Sequence, residues 1–276
     1  TLDRSSAAAD VYKRQYHLCF NKGCDIIEVG SGRYSVAILP TNVISIHLAI
    51  IQILPPPHGG SECSIGDNMG KINTLVFAGG AIHDWKGCSQ EIINSLSQRD
   101  EFELTTVEED LDALVSPNLD PYDLIVFYYT VGEISDAQKN GLLNHIASGK
   151  GYVGIHSAAD SFRGCPEYRA MVGGHFITHP RYREYQVSIV DSDHPITEGL
   201  VEFNVTDEQY ILDYDRRVDV LASALYQGDM APVAWTKNWG DGRIFYLALG
   251  HDAPACQHEN FSLMLQRGAL WAGTSA

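Results

Sequence analysis

Near the middle of the chain, Gly151-Tyr152-Val153-Gly154-Ile155 runs directly into His156-Ser157-Ala158-Ala159-Asp160. A glycine-bounded apolar run that ends abruptly in small residues reads as a buried parallel strand turning sharply into a helix. Ligands of open α/β sheets sit outside the carboxyl ends of such strands. The residue at the tip of the turn is geometrically fixed, is expected to be exposed, and in the commonest chemistry of such turns is a nucleophile. Here the tip is a histidine, which argues for a site and against that commonest chemistry.

Working outward, the flanking sequence repeats the same alternation. Ile72 to Phe77 reads as a first strand, Gly79-Gly80 opens a loop, and a helix follows from about Trp85 to Gln98, with Ile92, Ile93 and Leu96 at helical spacing. Phe102 to Val107 and Tyr122 to Tyr129 read as further strands. Ser135-Asp136-Ala137-Gln138 starts a second helix that Gly149 stops. Near-continuous apolar strands separated by helices predict a parallel sheet covered on both faces. Beyond it, Tyr185 to Val190 alternates like an edge strand, and Val233 to Trp235 pairs with Arg243 to Leu249 across the turn at 239–242. A last helix runs from about Glu259 to Trp271. The expected fold is a flavodoxin-like α/β sheet with a C-terminal antiparallel extension.

Composition narrows the function. The 276 residues carry a formal net charge of −16, so there is no basic face for nucleic acid or for an anionic membrane surface. The six cysteines form no Cys-x-x-Cys pair, which suits a reducing compartment. The longest apolar run, Val43 to Leu54, is too short to span a bilayer and carries no cleavage site. The chain reads as cytoplasmic. Asp10 to Gln15 looks like the translation of a sequencing-library adaptor, which makes residues 1–15 a scar. Residues 16–68 read as translated upstream DNA or a disordered extension, the alternative being a genuine extension with a short hairpin. Met69 is the expected natural start of a single domain, 69–276.

Five places gather polar residues at strand ends or in glycine-rich loops. In Gly79-Gly80-Ala81-Ile82-His83-Asp84-Trp85 the glycines admit a close ligand, and Asp84 caps the helix in the blander reading. At the second, Ser157 has no Gly-x-Ser-x-Gly setting and reads as a helix N-cap beside His156. In the third, Gly173 to Pro180, a helix would put His175 and His179 on one face as a metal pair, whereas the glycines and Pro180 argue for a pocket-lining loop. In the fourth, Thr206 to Tyr210, Asp207 and Glu208 are adjacent and extended, so they point to opposite sides. Glu208 is the inward one, and Asp207 caps or faces solvent. The fifth, Leu247 to Asp252, delivers His251 at a strand end with Asp252 to orient it. No Gly-x-Gly-x-x-Gly pattern is present, and no nucleotide cofactor is expected.

Gly154-Ile155-His156-Ser157-Ala158, Gly173-Gly174-His175-Phe176 with His179-Pro180, Asp193-His194-Pro195-Ile196, Asp207-Glu208-Gln209-Tyr210, Pro232-Val233-Ala234-Trp235 and Gly242-Arg243 through Gly250-His251-Asp252 resemble the ThuA-like (trehalose utilisation) family from roughly Lys71 to Gly273. The resemblance implies the fold of class I glutamine amidotransferases, with His156 where those enzymes carry their cysteine and His251 near their histidine. An imidazole does not replace the thiolate that forms a glutamyl thioester, so amidotransferase activity is not expected. The family is associated with breakdown of trehalose and related disaccharides, often beside dehydrogenases that make 3-keto sugars. The resemblance slightly favours a homo-oligomer.

The leading expectation is an enzyme acting on a free or oxidised sugar by hydrolysis, isomerisation or elimination. His156, Glu208 and His251 are its acid–base groups or the ligands of a divalent transition metal such as zinc. His83, Trp85, His175 and His179 line the pocket, with Ser157, Asp207 and Asp252 as further substrate contacts. The alternative is a non-catalytic sugar-binding or regulatory protein on an amidotransferase-like shell.

Overall fold

The computed structural model describes residues 70–274 and, before them, two strands, β1 (Asp25–Val29) and β2 (Gly32–Val36). The chain divides into two compact units, Thr1–Ile65 and Gly66–Ala276. In the first, β1 and β2 pair antiparallel, with Asp25 opposite Val36. The adaptor reading of residues 1–15 and the apolar run at 43–54 fall outside the described residues.

The second unit begins with β3 (Ile72–Gly80), α1 (Trp85–Leu96), β4 (Phe102–Glu108), β5 (Leu124–Thr130), α2 (Asp136–Ala147) and β6 (Gly151–Ile155). After a 3-10 turn at His156–Asp160 come α3 (Pro166–Val172), β7 (Gly174–Thr178), β8 (Arg183–Ile189), β9 (Phe203–Asp207) and β10 (Ile211–Tyr214). The unit ends with β11 (Asp219–Tyr226), β12 (Asp229–Trp239), β13 (Gly242–Leu247), α4 (Ala253–Cys256) and α5 (Glu259–Gly273). Nine strands form one sheet in the order β4-β3-β5-β6-β13-β12-β11-β8-β9. Pairing is parallel from β4 through β13 and antiparallel from β13 through β9. The sheet is therefore large and mixed: the parallel half and the C-terminal antiparallel extension are both present, but they form one nine-stranded sheet that is not clearly flavodoxin-like.

Strand chemistry explains the parallel half. Every residue of β5 is buried, because both faces of the strand are covered. Leu124, Val126 and Tyr128 enter the core beneath α1 and α5, while Ile125, Phe127 and Tyr129 enter the core beneath α2 and α3. A capping box starts α2, with Ser135 Oγ accepting from the Gln138 backbone N–H and Gln138 Oε1 from that of Ser135. Asp84 caps α1 by accepting from the Gly87 N–H at 3.2 Å.

Three expectations need correction. The Tyr185 to Val190 strand is one in from the edge, which β9 occupies. Residues 174–178 form a strand, paired with β10 in a separate two-stranded ribbon, so His175 and His179 share no helical face. The segment from 203 to 226 contains three strands that the hydrophobic pattern did not reveal.

The parallel half also fixes where a site lies. Chain leaving the carboxyl end of β3 leads to β4 on one side, and chain leaving β5 leads to β6 on the other, so a crevice opens between β3 and β5. Among the described residues, no helix is long and apolar enough to cross a membrane.

Candidate functional site

Three parallel strands each deliver a histidine to this crevice. β3 ends at Gly80, whose φ is 88° and whose absent Cβ would lie 2.3 Å from the Thr130 carbonyl oxygen, so only glycine lets the two strand ends stay this close. Three residues on, His83 Nδ1 bonds to Thr130 Oγ1 at 2.9 Å, which turns Nε2 towards the crevice and to 3.5 Å from the Tyr210 hydroxyl. His156 follows β6 with φ of 43°, a left-handed conformation that a non-glycine residue adopts only under constraint. Its Nδ1–H donates to the Ala248 carbonyl at 2.7 Å, leaving Nε2 buried without a hydrogen-bond partner among the described residues. The tip histidine was expected to be exposed; it is wholly buried, beneath Tyr210, whose ring centroid is 3.9 Å from its own.

His251 follows β13. Asp207, fully buried at the end of β9, fixes the backbone there by accepting from the Gly250 N–H at 2.7 Å and the His251 N–H at 3.1 Å. It also accepts from the Glu208 N–H, so Asp207 is a structural staple and not a solvent-facing group. On the opposite side of the extended chain, Glu208 enters the crevice. One carboxylate oxygen lies 3.1 Å from His251 Nδ1 and 3.7 Å from His156 Nε2, and the other lies 3.1 Å from His179 Nδ1. The His251 nitrogen is close enough for ion pairing but off the direction of a hydrogen bond, and it is the second buried nitrogen of the site without such a partner.

The electrostatics follow from this packing. Burial would raise the Glu208 carboxyl, but His156 and His251 beside it outweigh burial and hold it well below the usual carboxylate range. Glu208 in turn raises His251. His83 is pushed down to about 3, first by burial and then by the neighbouring His156 and His251, and so it is neutral at physiological pH. Burial raises the Tyr210 phenol, with Glu208 adding to the shift.

His83, His156, Glu208 and His251 each offer a ligand atom, and these atoms lie within 4.8 Å of one another. Ligand atoms around a tetrahedral zinc ion with bonds of about 2.0 Å sit roughly 3.3 Å apart, so a contraction of at most about 1.5 Å brings the widest pair into a first coordination sphere. The donor set of three imidazoles and a carboxylate suits zinc, iron or nickel. Two of its nitrogens lack other partners, and the outer nitrogens of His83 and His156 are already tied to Thr130 and Ala248, the outer-shell arrangement metal-binding histidines use.

The remaining expected residues lie elsewhere. Trp85 packs against the core with the Lys86 ammonium over its ring. Ser157 is buried with an unpartnered hydroxyl and caps no helix, since the turn has no side-chain cap. Asp252 caps α4 through the Ala255 N–H, so Glu208 and not Asp252 faces the His251 ring. His175 is half-buried and lines a neighbouring cavity. His179, on the loop after β7, is brought to the rim of the cluster at Glu208. Sequence reasoning assigned no role to Tyr210, Tyr182 or Thr130. Alternation along an extended segment puts Tyr210 on the same side as Glu208, which is a usable signal. Tyr182, whose ring lies 5.7 Å from that of His251, and Thr130 carried no comparable signal.

Comparison with known proteins agrees with this architecture. A ThuA-like protein of Parabacteroides merdae is 24% identical, with a TM-score of 0.68 over 74% of this chain and 91% of its own. A ThuA-like protein of Bacteroides uniformis is 20% identical, with a TM-score of 0.60 over 73% and 91%. A cytoplasmic protein of Salmonella typhimurium is 12% identical, with a TM-score of 0.55 over 72% and 99%. At these identities the likeness is one of fold. No curated protein matches the chain. The family model for ThuA, described as trehalose utilisation, matches residues 73–272, nearly all of the second unit, and the chain therefore belongs to the ThuA family.

Proposed function

We propose that this protein is an enzyme of carbohydrate catabolism whose reaction centre is a divalent transition-metal site formed by His83, His156, Glu208 and His251. The observation that carries the reading is the convergence of these four ligand atoms within 4.8 Å, two of them buried nitrogens with no other hydrogen-bond partner. Leaving buried polar atoms unpaired costs about 1–3 kcal/mol each, a cost that a bound ion offsets. A metal held there supplies Lewis acidity towards a carbonyl or hydroxyl oxygen, or lowers the pKa of a bound water. The family context of trehalose utilisation supports a sugar substrate, and an oxidised sugar offers both a carbonyl and an acidic C–H beside it. The three described cysteines, all free and buried, support a cytoplasmic setting.

This chain's own groups divide the remaining work. Neutral His83 presents a lone pair, His156 presents the ring nitrogen opposite its bond to Ala248, Glu208 supplies the compensating negative charge, and Asp207 fixes the backbone from which His251 projects. His179 touches the outer oxygen of Glu208 and is 42% exposed, so it stands where a substrate would enter. Four protein ligands complete a zinc tetrahedron, so an open position for substrate requires five- or six-fold coordination, or a turn of Glu208 towards His179.

The test is elemental analysis of the protein purified without chelator, beside its His156→Ala variant, followed by turnover assays on free and 3-keto sugars. About one equivalent of metal in the wild type, with both metal and turnover lost in the variant, is the expected result. Failure to take up zinc, iron or nickel after dialysis against each would overturn the metal reading. Metal and sugar binding without turnover would instead favour a binding protein.

A further inference from the structure

Gly250 and His251 are held at their carbonyls as well as at the N–H groups that Asp207 takes. The Tyr128 hydroxyl reaches the Gly250 carbonyl at 3.1 Å and that of His251 at 3.3 Å. Two thiols complete the set. Cys88 Sγ donates to the His251 carbonyl at 3.7 Å, and Cys256 Sγ donates to the Gly250 carbonyl at 3.6 Å. Cys88 lies in the first turn of α1 and Cys256 ends α4; both are buried, and the reaction centre uses neither.

The two sulfurs also meet each other, each thiol being the other's hydrogen-bond partner. The elements that carry them run close together: a Cβ added at Gly87 would lie 3.4 Å from the Ala253 Cβ. An S–H is a weak donor, and a serine hydroxyl would hold either carbonyl better, so anchoring alone gives no reason for two cysteines here. Their pairing is the feature to account for. Thiols in contact need only a further approach, to about 2.05 Å, to become a disulfide. In a reducing compartment such a bond is transient and redox-sensing, not a permanent staple.

We propose that Cys88 and Cys256 are a reversible redox pair that sets the grip on His251, closed to a disulfide by hydrogen peroxide and opened again by a thiol reductant. The Cys88 sulfur attacks one peroxide oxygen, the O–O bond breaks, and water leaves with the thiol proton to give a sulfenic acid. The Cys256 sulfur then attacks that of Cys88, the S–O bond breaks, and a second water carries off the hydroxyl and the Cys256 proton. Two electrons pass from the thiols to the peroxide. The oxidant has to be small because neither thiol is exposed, and α4, four residues long, is the element whose local opening admits it. Closure takes both thiol donors from the carbonyls and draws α4 towards α1, pulling Gly250 and His251 against their bonds to Asp207. The consequence for a bound metal rests on the reading of the reaction centre given above; the redox pair itself does not.

The test treats the full chain with hydrogen peroxide, removes the oxidant and follows three readouts. Peptide mapping by mass spectrometry is expected to find Cys88 joined to Cys256, with Cys165, whose thiol faces Glu167, still free. Hydrogen exchange in the peptide that carries Gly250 and His251 is expected to quicken on oxidation and to return with dithiothreitol. Zinc affinity, read by competition with a chelator, is expected to fall by about tenfold, the low end for loss of an outer contact. Cys256→Ser keeps a donor for the Gly250 carbonyl and is expected to show none of the three responses; Cys88→Ser repeats the control from the other side. The proposal is overturned if no Cys88–Cys256 peptide forms, if exchange is unchanged or slower, or if the responses persist in both variants. Unchanged affinity in a protein that does bind zinc overturns it as well. A cross-link with faster exchange in a protein that takes up no zinc would sustain the pair and sink only the metal reading.

Discussion

The two halves of the sheet contribute to the site in different ways. The parallel half supplies His83, His156 and His251 from the ends of β3, β6 and β13, and second contacts from Thr130 and the Ala248 carbonyl lock the first two rings. The antiparallel half and its ribbon supply Glu208 after β9, Tyr210 before β10 and His179 after β7, all on connecting segments. Fixed strand ends make a preformed set of nitrogens, while loops supply the charge and the cover. In the proposed metal site, the rigid half would set which ion fits, and the other half would set access and charge. The β12–β13 ladder joins the two halves within the sheet, and at the site itself Asp207 ties them, from the end of β9 to the backbone after β13.

Cutting that tie should produce the largest effect. Asp207→Ala strips the Gly250 and His251 N–H groups of their acceptor at a site where water is excluded. At about 1–3 kcal/mol per orphaned group, a destabilisation of about 3 kcal/mol is expected, which lowers Tm by on the order of 10 °C in a domain of this size. Calorimetry reads it directly. A Tm within about 2 °C of the wild type would mean that the β12–β13 ladder and packing hold the halves without help from Asp207.

A second contrast sets the fixed half against the adjustable one. Thr130→Val removes the hydroxyl that orients His83, and loss of such outer contacts typically costs 10- to 100-fold in metal affinity. His179→Ala removes an exposed group whose contact with the four clustered residues is the outer oxygen of Glu208, and a loss of less than about tenfold is expected because exposed pairs contribute little. Competition titrations with a chelator rank the two. The reverse order would place His179 inside the coordination sphere and break the division between the halves.

Legibility in the sequence divided along the same line. The parallel half announced itself through apolar runs that stop at glycine and histidine, and all three strand-end histidines were readable from that punctuation. Glu208 was readable because adjacent residues of an extended segment face opposite ways. Of the antiparallel strands, β8 and β12 were readable, but β9, β10 and β11 were not. In β9 the inward positions are Phe203, Val205 and Asp207, so a buried carboxylate interrupts the period of two, and the same interruption disguised Asp207 as a surface residue. In β11 the buried stretch Ala222-Ser223-Ala224 consists of small residues with little strand preference of their own, and neighbouring strands decide its conformation. The burial of His156 was unreadable for a related reason, since its cover, Tyr210, lies far along the chain and arrives through tertiary packing.

The smallest expected effect concerns a histidine of the parallel half that has no part in the cluster. His145, near the end of α2, is buried, and its Nε2 has no hydrogen-bond partner among the described residues. Burial first, and then the Lys150 ammonium, hold its pKa below the ordinary value of 6.5. The unfolded chain then binds a proton that the folded chain resists, so the stability linked to His145 is full above the unfolded pKa and falls as the pH drops through about 6.5. Urea unfolding at about pH 7.5 and about pH 5.5 should therefore show a larger loss for the wild type than for His145→Gln, which cannot titrate. The comparison is run on His145 because it shares burial with His156 but not the convergence of other ligand atoms. Equal losses in the two proteins would mean that His145 is protonated in the folded state at the lower pH. Burial in this half would then be too weak to keep a lone imidazole neutral, and the low pKa of His83 would have to come from its neighbouring histidines rather than from the sheet that holds it.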